Sequence, residues 1–195
     1  MKIKSYVLGV VVALVVVSAT YGQPAPLSLQ LSSSDDLTAL GVGDMVTVDV
    51  SLSGLQPGEE LVSLTGSVLY PDPLMGTPLS INPGAIAPNA IDFLDLAFPG
   101  QADGSFVTFS PLAAAHITSD GVFYSFDVQA QAVGSGQFAL DSLALIAEQH
   151  DPSFPILRFP EAGPPLDFSV VPVPAAALLA MMGMGTAVLR LRKQR

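Results

Sequence analysis

Cysteine, tryptophan and basic side chains are the scarce residues of this chain. None of its 195 residues is a cysteine or a tryptophan. Arg158 is the one lysine or arginine between residues 23 and 169, a segment that holds all 17 acidic side chains. The lack of cysteine excludes disulfides and thiolate metal sites. The lack of a basic surface excludes nucleic acid as a partner, because phosphate binding requires one.

The sequence also lacks the common catalytic signatures. It has no Gly-Lys-Thr phosphate loop, no Gly-x-Ser-x-Gly elbow and no His-Glu-x-x-His pair. His116 is isolated, whereas Glu148, His150 and Asp151 form a compact group with acid–base or metal-binding chemistry. We interpret that group as a polar loop before Pro152 and predict no enzymatic activity. A pair of sugar-cleaving carboxylates that meet only in three dimensions would escape this search.

The first 22 residues have the layout of a secretory signal peptide. Two lysines precede an uncharged apolar run over residues 7–17, and small residues follow that run. We predict cleavage before Gln23, with Thr20 and Gly22 at the small-residue positions, and Ala19 offers a second cleavage position. The mature protein is therefore predicted to be exported.

Residues 170–195 have the layout of a retention tail. The run over residues 175–189 carries no charge and is rich in Ala, Leu and Met, which predicts a helix. At about 1.5 Å per residue this helix is shorter than the roughly 30 Å hydrocarbon core of a bilayer unless residues 170–173 extend it. A basic stop on the cytoplasmic side follows it: Arg190, Arg192, Lys193 and Arg195. We predict that this segment is a transmembrane helix, and the alternative is a buried amphipathic helix of a soluble domain.

The start of this tail resembles the PEP-CTERM class of sorting signals. The residues that carry the resemblance are Val171, Pro172, Val173, Pro174 and Ala175, followed by the apolar helix and the basic cluster. Val173 stands where the usual tetrad has glutamate, so the tail is closer to the variant class that reads V-P-L-P-A. The resemblance implies an exosortase-like sorting protease as a partner. It also implies a protein held in the inner membrane on the periplasmic side and then placed at the cell surface or in the extracellular matrix.

The segment between these two ends, residues 23–169, reads as one all-β domain of ordinary size. Residues 45–52 alternate strictly, with Val46, Val48, Val50 and Leu52 on one face and polar side chains on the other. Period two with β-branched residues predicts a half-buried strand. Residues 122–129 repeat the alternation, with Val122, Tyr124, Phe126 and Val128 on one face.

Other strands are predicted from apolar runs between turn residues. They are expected at residues 27–31, 61–70, 105–109, 138–147 and 166–170, with a short strand around 91–96. Turns are predicted at Asp103-Gly104, at Asp120-Gly121 and over residues 134–136. Short strands, frequent Gly and Pro turns and no convincing helix indicate an antiparallel β-sandwich.

Three stretches of this segment, in the right order, resemble cohesin-like domains. They are residues 42–54, residues 70–74, and residues 117–122 with Phe126, Val128, Phe138 and Leu140. The resemblance implies a jelly-roll sandwich that acts as a binding, adhesive or scaffolding module outside the cell. Cohesins bind dockerins through one sheet face, but no residue motif for that face is matched here. The alternative function is an exported carbohydrate-binding or polysaccharide-processing protein, with exopolysaccharide as the partner.

Calcium is the most plausible cation for so acidic a domain. Oxygen ligands are available at Asp35, Asp36, Asp92, Asp95 and Asp103, but no twelve-residue EF-hand spacing joins them. We therefore predict no cofactor, leave calcium as an open possibility and assign no metal-binding residue.

Overall fold

The computed structural model of the protein describes residues 26–87, 93–110, 112–149 and 156–172. The predicted signal peptide lies outside these ranges, as do Val173 and the rest of the predicted tail, including the apolar run and the four basic residues. Within the described ranges, no helix has the length and hydrophobicity that crossing a membrane requires.

Thirteen β-strands account for most of the described residues. The helical elements among them are one turn of α-helix, α1 (Asp72–Met75), and a single 3-10 turn at Ala113–Ala115. The strands are β1 (Ser28–Ser32), β2 (Leu40–Gly41), β3 (Met45–Ser53), β4 (Leu61–Leu69), β5 (Ser80–Pro83), β6 (Phe93–Phe98), β7 (Gln101–Val107), β8 (Gly121–Gln129), β9 (Gly134–Leu140), β10 (Ile146–Gln149), β11 (Ile156–Arg158), β12 (Glu161–Ala162) and β13 (Leu166–Val171).

The strands form two sheets that pack face to face around one apolar core. The smaller sheet has the order β12-β1-β3-β8-β5. The larger sheet has the order β11-β10-β4-β9-β13-β2, and β7 pairs with β4 and with β6. This arrangement confirms the all-β sandwich. It is not purely antiparallel, because β12 runs parallel to β1 and β2 runs parallel to β13.

Strand β3 matches its predicted alternation. Val46, Val48 and Val50 are fully buried, whereas Thr47 is exposed on the opposite side. The strand lies between β1 and β8, so its inward side chains face the larger sheet across the core. Burial of each valine stabilises the domain by roughly 1.5–3 kcal/mol relative to an exposed side chain.

Strand β8 departs from the predicted alternation at one point. Phe123 was expected opposite Tyr124, yet both rings are buried, and Val122 is only half-buried. The cause is a register shift, since Val50 pairs with Tyr124 while Ser51 pairs with Val122. The extra residue of a β-bulge changes the facing of the residues beside it, which sequence periodicity does not reveal.

The predicted turn at Asp103-Gly104 is wrong, because both residues lie inside β7. The chain turns instead at Gly100, which has the positive φ of +74° that a tight hairpin needs. Gly104 has a packing role: a Cβ there would lie 2.5 Å from Cδ1 of Tyr124. Its missing side chain lets the Tyr124 ring lie against the β7 backbone.

Two further turn predictions are also corrected. Residues 134–136 are the first part of β9, paired with β13, and the predicted strand over 138–147 is broken after Leu140. Asp120-Gly121 is not a hairpin: Gly121 opens β8, and the Asp120 carboxylate accepts backbone N–H bonds from Gly54 and Leu55. These bonds tie the loop after β3 to the start of β8.

The last strand, β13, is confirmed and extends slightly further than expected. Val170 is buried and pairs with Gly134 and Leu40, and Val171 pairs with Gly41. The sandwich therefore includes Val171, the first residue of the predicted sorting motif. Pro172 follows directly at the end of the described region.

Candidate functional site: the outer face of the larger sheet

His116, one of the two histidines of the chain, is buried, and both of its ring nitrogens form hydrogen bonds. The residue is 3% exposed, its Nδ1 lies 2.7 Å from Oε2 of Glu60, and its Nε2 lies 2.8 Å from the Ser110 carbonyl oxygen. The ring thus joins the loop after β7 to the start of β4. Glu148, predicted to lie in a polar loop with His150 and Asp151, lies instead in strand β10, and the other two residues lie outside the described residues.

Arg158, the basic residue of the predicted domain, is already paired. Its guanidinium forms an ion pair with the carboxylate of Glu59, a buried residue in the loop before β4. Such a pair compensates the cost of burying the Glu59 charge. Arg158 therefore stabilises the sandwich and does not contribute a free positive charge to either outer face.

The carboxylates considered as calcium ligands are dispersed. Asp35 accepts the backbone N–H of Thr47, and Asp36 accepts both the N–H and the hydroxyl of Thr38. The Thr38 hydroxyl is the main reason that the pKa of Asp36 is lowered. In the described part of the chain, no three His, Cys, Asp or Glu side chains are close enough to hold a metal ion together. Asp92 is not described.

Asp103 belongs instead to a hydrogen-bonded polar centre on the outer face of the larger sheet. Its Oδ1 accepts the Ser67 hydroxyl at 2.5 Å, and both of its oxygens lie 2.9 Å from Nε2 of Gln101, which donates to them. Two residues further along the same strands, the hydroxyls of Thr65 and Ser105 are 2.9 Å apart. Adjacent strands β4 and β7 place all five residues on the same side.

Large apolar side chains surround this centre. Leu96 of β6 is 46% exposed and lies directly opposite Asp103, and the next outward residues of β6 are Leu94 at 62% and Phe98 at 48%. β6 is an edge strand, because β7 is its only partner among the described strands. Further exposed apolar residues on the same side complete the rim: Leu69, Val107, Ile146 and Leu157. We call the polar centre and this rim the large-sheet face.

The backbone beneath the large-sheet face is held in place from the core side. The Tyr124 hydroxyl donates to the carbonyl oxygens of Gly66 in β4 and Ala102 in β7, at 3.1 and 3.2 Å. Burial, and to a smaller extent the charge of Asp103, raise the pKa of Tyr124. The hydroxyl thus remains a neutral donor that links β8 to the two central strands of the face.

The large-sheet face could not be found from the sequence alone. A strand near residues 91–96 was expected, but nothing in the local pattern shows that it lies at a sheet edge. Leu94, Leu96 and Phe98 alternate as core residues would, and only the pairing of β6 with β7 shows that they point away from the core. Misplacing the turn at Asp103-Gly104 also removed Gln101 and Asp103 from the strand to which they belong.

No family model and no curated protein matches the chain. Comparison with solved structures, in contrast, finds proteins of the same architecture. A chain of a type I cohesin–dockerin complex from Clostridium thermocellum has a TM-score of 0.57 at 15% identity, over 74% of this chain and 99% of that one. The seventh ScaB type I cohesin of Pseudobacteroides cellulosolvens has a TM-score of 0.60 at 13% identity, over 75% and 94%.

A third similar structure comes from an enzyme. The cohesin module of a family 33 glycoside hydrolase of Clostridium perfringens has a TM-score of 0.57 at 11% identity, and the match covers 76% of this chain and 98% of the module. The shared element is thus nearly a whole cohesin module. At these identities the likeness concerns the fold, and the chain has a cohesin-like β-sandwich fold.

Proposed function

We propose that this protein is an exported binding module whose large-sheet face takes a dockerin-like protein partner. The observation that carries the proposal is the ring of exposed apolar side chains around the hydrogen-bonded Asp103. Clustered exposed apolar residues with a few fixed polar groups are typical of protein interaction sites. The similarity to a cohesin solved in a cohesin–dockerin complex supports the same kind of partner.

The chemistry of the face defines what the partner should offer. Leu94, Leu96 and Phe98 require an apolar counterpart, and the Asp103 carboxylate requires a hydrogen-bond donor, either a hydroxyl or a cationic side chain. Cationic donors are favoured, because no described basic residue lies free on this face to compete for the carboxylate. The partner surface is therefore expected to combine apolar residues with a central Ser, Thr, Lys or Arg.

The test is a titration of the whole chain with dockerin-type modules encoded in its own genome. Calorimetry should detect a complex, and the double variant Leu96→Ser/Phe98→Ser should weaken it at least tenfold, since well-packed anchors contribute about 2 kcal/mol or more. A matched control on the other sheet, Asn82→Ser, should leave the affinity unchanged. If every module fails to bind, or both variants bind like the unaltered chain, the proposal is wrong.

We further propose that residues 1–22 and the sorting tail deliver this module to the cell surface. The supporting features are the two lysines before the first apolar run, the 171–175 motif and the basic cluster at residues 190–195. An exosortase-like protease would remove the tail after the helix has entered the inner membrane. Mass spectrometry of the surface form should show loss of both ends, and a surface form that retains residues 181–195 would contradict the processing.

A further inference from the structure

A groove lies on the β9–β13 strand pair, on the same outer side of the larger sheet as the polar centre of the large-sheet face. It has a volume of about 490 Å³, which is within the range of small-molecule sites. The backbone of Gly136 and Phe168 lines its floor, and the loop at Leu37 and Thr38 forms one wall. The Phe168 ring itself packs on Phe138 in the core, on the other side of β13. The Ser169 N–H donates to the Leu37 carbonyl oxygen at 2.8 Å, which fixes that wall to β13.

Polar side chains project from the two strands in matched pairs. Asp167 is opposite Gln137 and Ser169 is opposite Ser135, so all four share one side of the antiparallel pair. Gln137 Nε2 donates to Oδ1 of Asp167 at 2.7 Å, and the two serine hydroxyls are 3.4 Å apart. This bond orients the carboxylate and the carboxamide before any ligand arrives, which reduces the entropy lost on binding.

The remaining hydrogen-bonding capacity of this pair is open to the groove. Among the described residues, nothing donates to Oδ2 of Asp167, and the carboxamide oxygen of Gln137 also accepts no hydrogen bond. Both atoms are therefore acceptors for hydroxyl donors. Ser135 and Ser169 add hydroxyls that donate or accept.

The charges at the groove narrow the class of ligand. Asp167 lines it and Asp36 lies beside it, bonded to Thr38, while the Arg158 guanidinium is engaged by Glu59. Anionic ligands such as phosphates and acidic sugars are therefore disfavoured. One lining carboxylate is too few for calcium, which takes six to eight oxygen ligands. A neutral ligand rich in hydroxyls remains.

We propose that the groove between β9, β13 and the Leu37–Thr38 wall is a binding site for a neutral oligosaccharide. Asp167 and Gln137 accept hydrogen bonds from neighbouring hydroxyls of one sugar unit, and the serines contact the next. This site lies beside the proposed dockerin-like contact on the same side of the larger sheet, since the rim residue Leu69 pairs with Ala139 of β9.

The experiment is an NMR titration of the whole isotope-labelled chain in a zwitterionic, sugar-free detergent. Cellotetraose and mannotetraose are the neutral probes, and tetragalacturonate is the anionic probe. At least one neutral probe should shift the amide signals of residues 37–38, 135–137 and 167–169 with a Kd of about 1 mM or lower. Tetragalacturonate should bind at least about tenfold more weakly.

Matched charge variants locate the interaction. Asp167→Asn should weaken binding about tenfold, because hydrogen bonds to a charged group contribute most. Asp49→Asn removes one carboxylate from the smaller sheet and should change the Kd less than about twofold. Ser135→Ala is a second groove variant if Asp167→Asn lowers the melting temperature.

Any one of four results would overturn the proposal: no shift with either neutral probe, shifts that map to another surface, equal affinity for tetragalacturonate, or full affinity in both groove variants. The Leu96→Ser/Phe98→Ser chain should bind the sugar normally, so failure of the glycan site and failure of the protein site can be told apart.

Discussion

The outer face of each sheet contains an aspartate that accepts hydrogen bonds from neighbouring side chains. The two faces differ in the residues that surround this aspartate. Asp127, on the smaller sheet, accepts the hydroxyls of Thr47 and Ser80, both at 2.6 Å. Short polar side chains continue along the adjacent strands, as at Ser125 and Asn82. Such a surface hydrogen-bonds to itself and to water, and it gains little by being covered.

Asp103, on the larger sheet, is bound in a similar way but stands among exposed leucines and a phenylalanine. Covering Leu96 or Phe98 removes apolar surface from water, at roughly 25 cal/mol per Å². The comparison indicates that a fixed carboxylate by itself gains little from being covered. In the proposed contact, the apolar surroundings supply the driving force and the carboxylate supplies direction.

The largest effect is expected from a charge placed on the inward side of the smaller sheet. Val48→Asp puts an unpaired carboxylate at a fully buried position, which should cost several kcal/mol and unfold much of the domain. Thr47→Asp points outward, but its new charge would face Asp127, so about 1 kcal/mol is expected. Thermal melts compare the two, and equal destabilisation would mean that the outer face is not solvated.

The next largest effect is expected from an inward substitution on the larger sheet, compared with an outward one beside it. Gly104→Ala forces a Cβ to within 2.5 Å of the Tyr124 ring and should cost about 1–3 kcal/mol by overpacking. Ser105→Ala, one residue along and outward, loses only the bond to Thr65, about 0.5–1.5 kcal/mol. Urea unfolding measures both. A harmless Gly104→Ala would contradict the close packing behind the large-sheet face.

A smaller effect is expected from the two buried tyrosines. Tyr124→Phe removes the hydroxyl that bonds β4 and β7 and should cost about 1 kcal/mol. Tyr70→Phe should be neutral or slightly stabilising, because no described residue bonds the buried Tyr70 hydroxyl. If both substitutions cost the same, the hydroxyl of Tyr124 does not support the large-sheet face.

The smallest effect concerns the pH dependence of the small-sheet face. Hydrogen bonds from Ser80, and then from Thr47, lower the pKa of Asp127 below its ordinary value of 3.8. Because the folded pKa is the lower one, the carboxylate stabilises the fold above the unfolded pKa, and this contribution is lost as pH falls through the folded pKa. Solvent screening limits it to about a few tenths of a kcal/mol.

The variant Asp127→Asn isolates the contribution of the Asp127 charge to the free energy of unfolding. The unaltered chain should be the more stable at pH 7, and its advantage should shrink as the pH falls from 5 towards 2. Denaturant unfolding of both chains across that range measures the difference. An advantage that does not change with pH would show that the hydrogen bonds, and not the charge, stabilise this face.

The sequence by itself determined the features that depend on local periodicity and composition. The alternation at Val46, Val48 and Val50 was enough to locate β3 and its buried side, because a strand repeats every two residues whatever lies beyond it. The three short resemblances led to the cohesin-like fold, and the solved structures agree with it. The proposed export and sorting also come from the sequence alone, because residues 1–22 and 173–195 lie outside the described residues.

Only the tertiary structure decided the features that depend on a neighbour from another part of the chain. Gly104 reads locally as a turn residue, yet it pairs with Gly66 inside β7, and the Tyr124 ring fills the space that a side chain would need. Leu96 reads as a core residue, yet it is exposed because it pairs with the outward-facing Asp103. Asp167 and Gln137 are 30 positions apart in the sequence and meet through strand pairing. A one-dimensional pattern gives the facing of a side chain within its strand, and sheet order decides whether that face meets the core, water or a ligand.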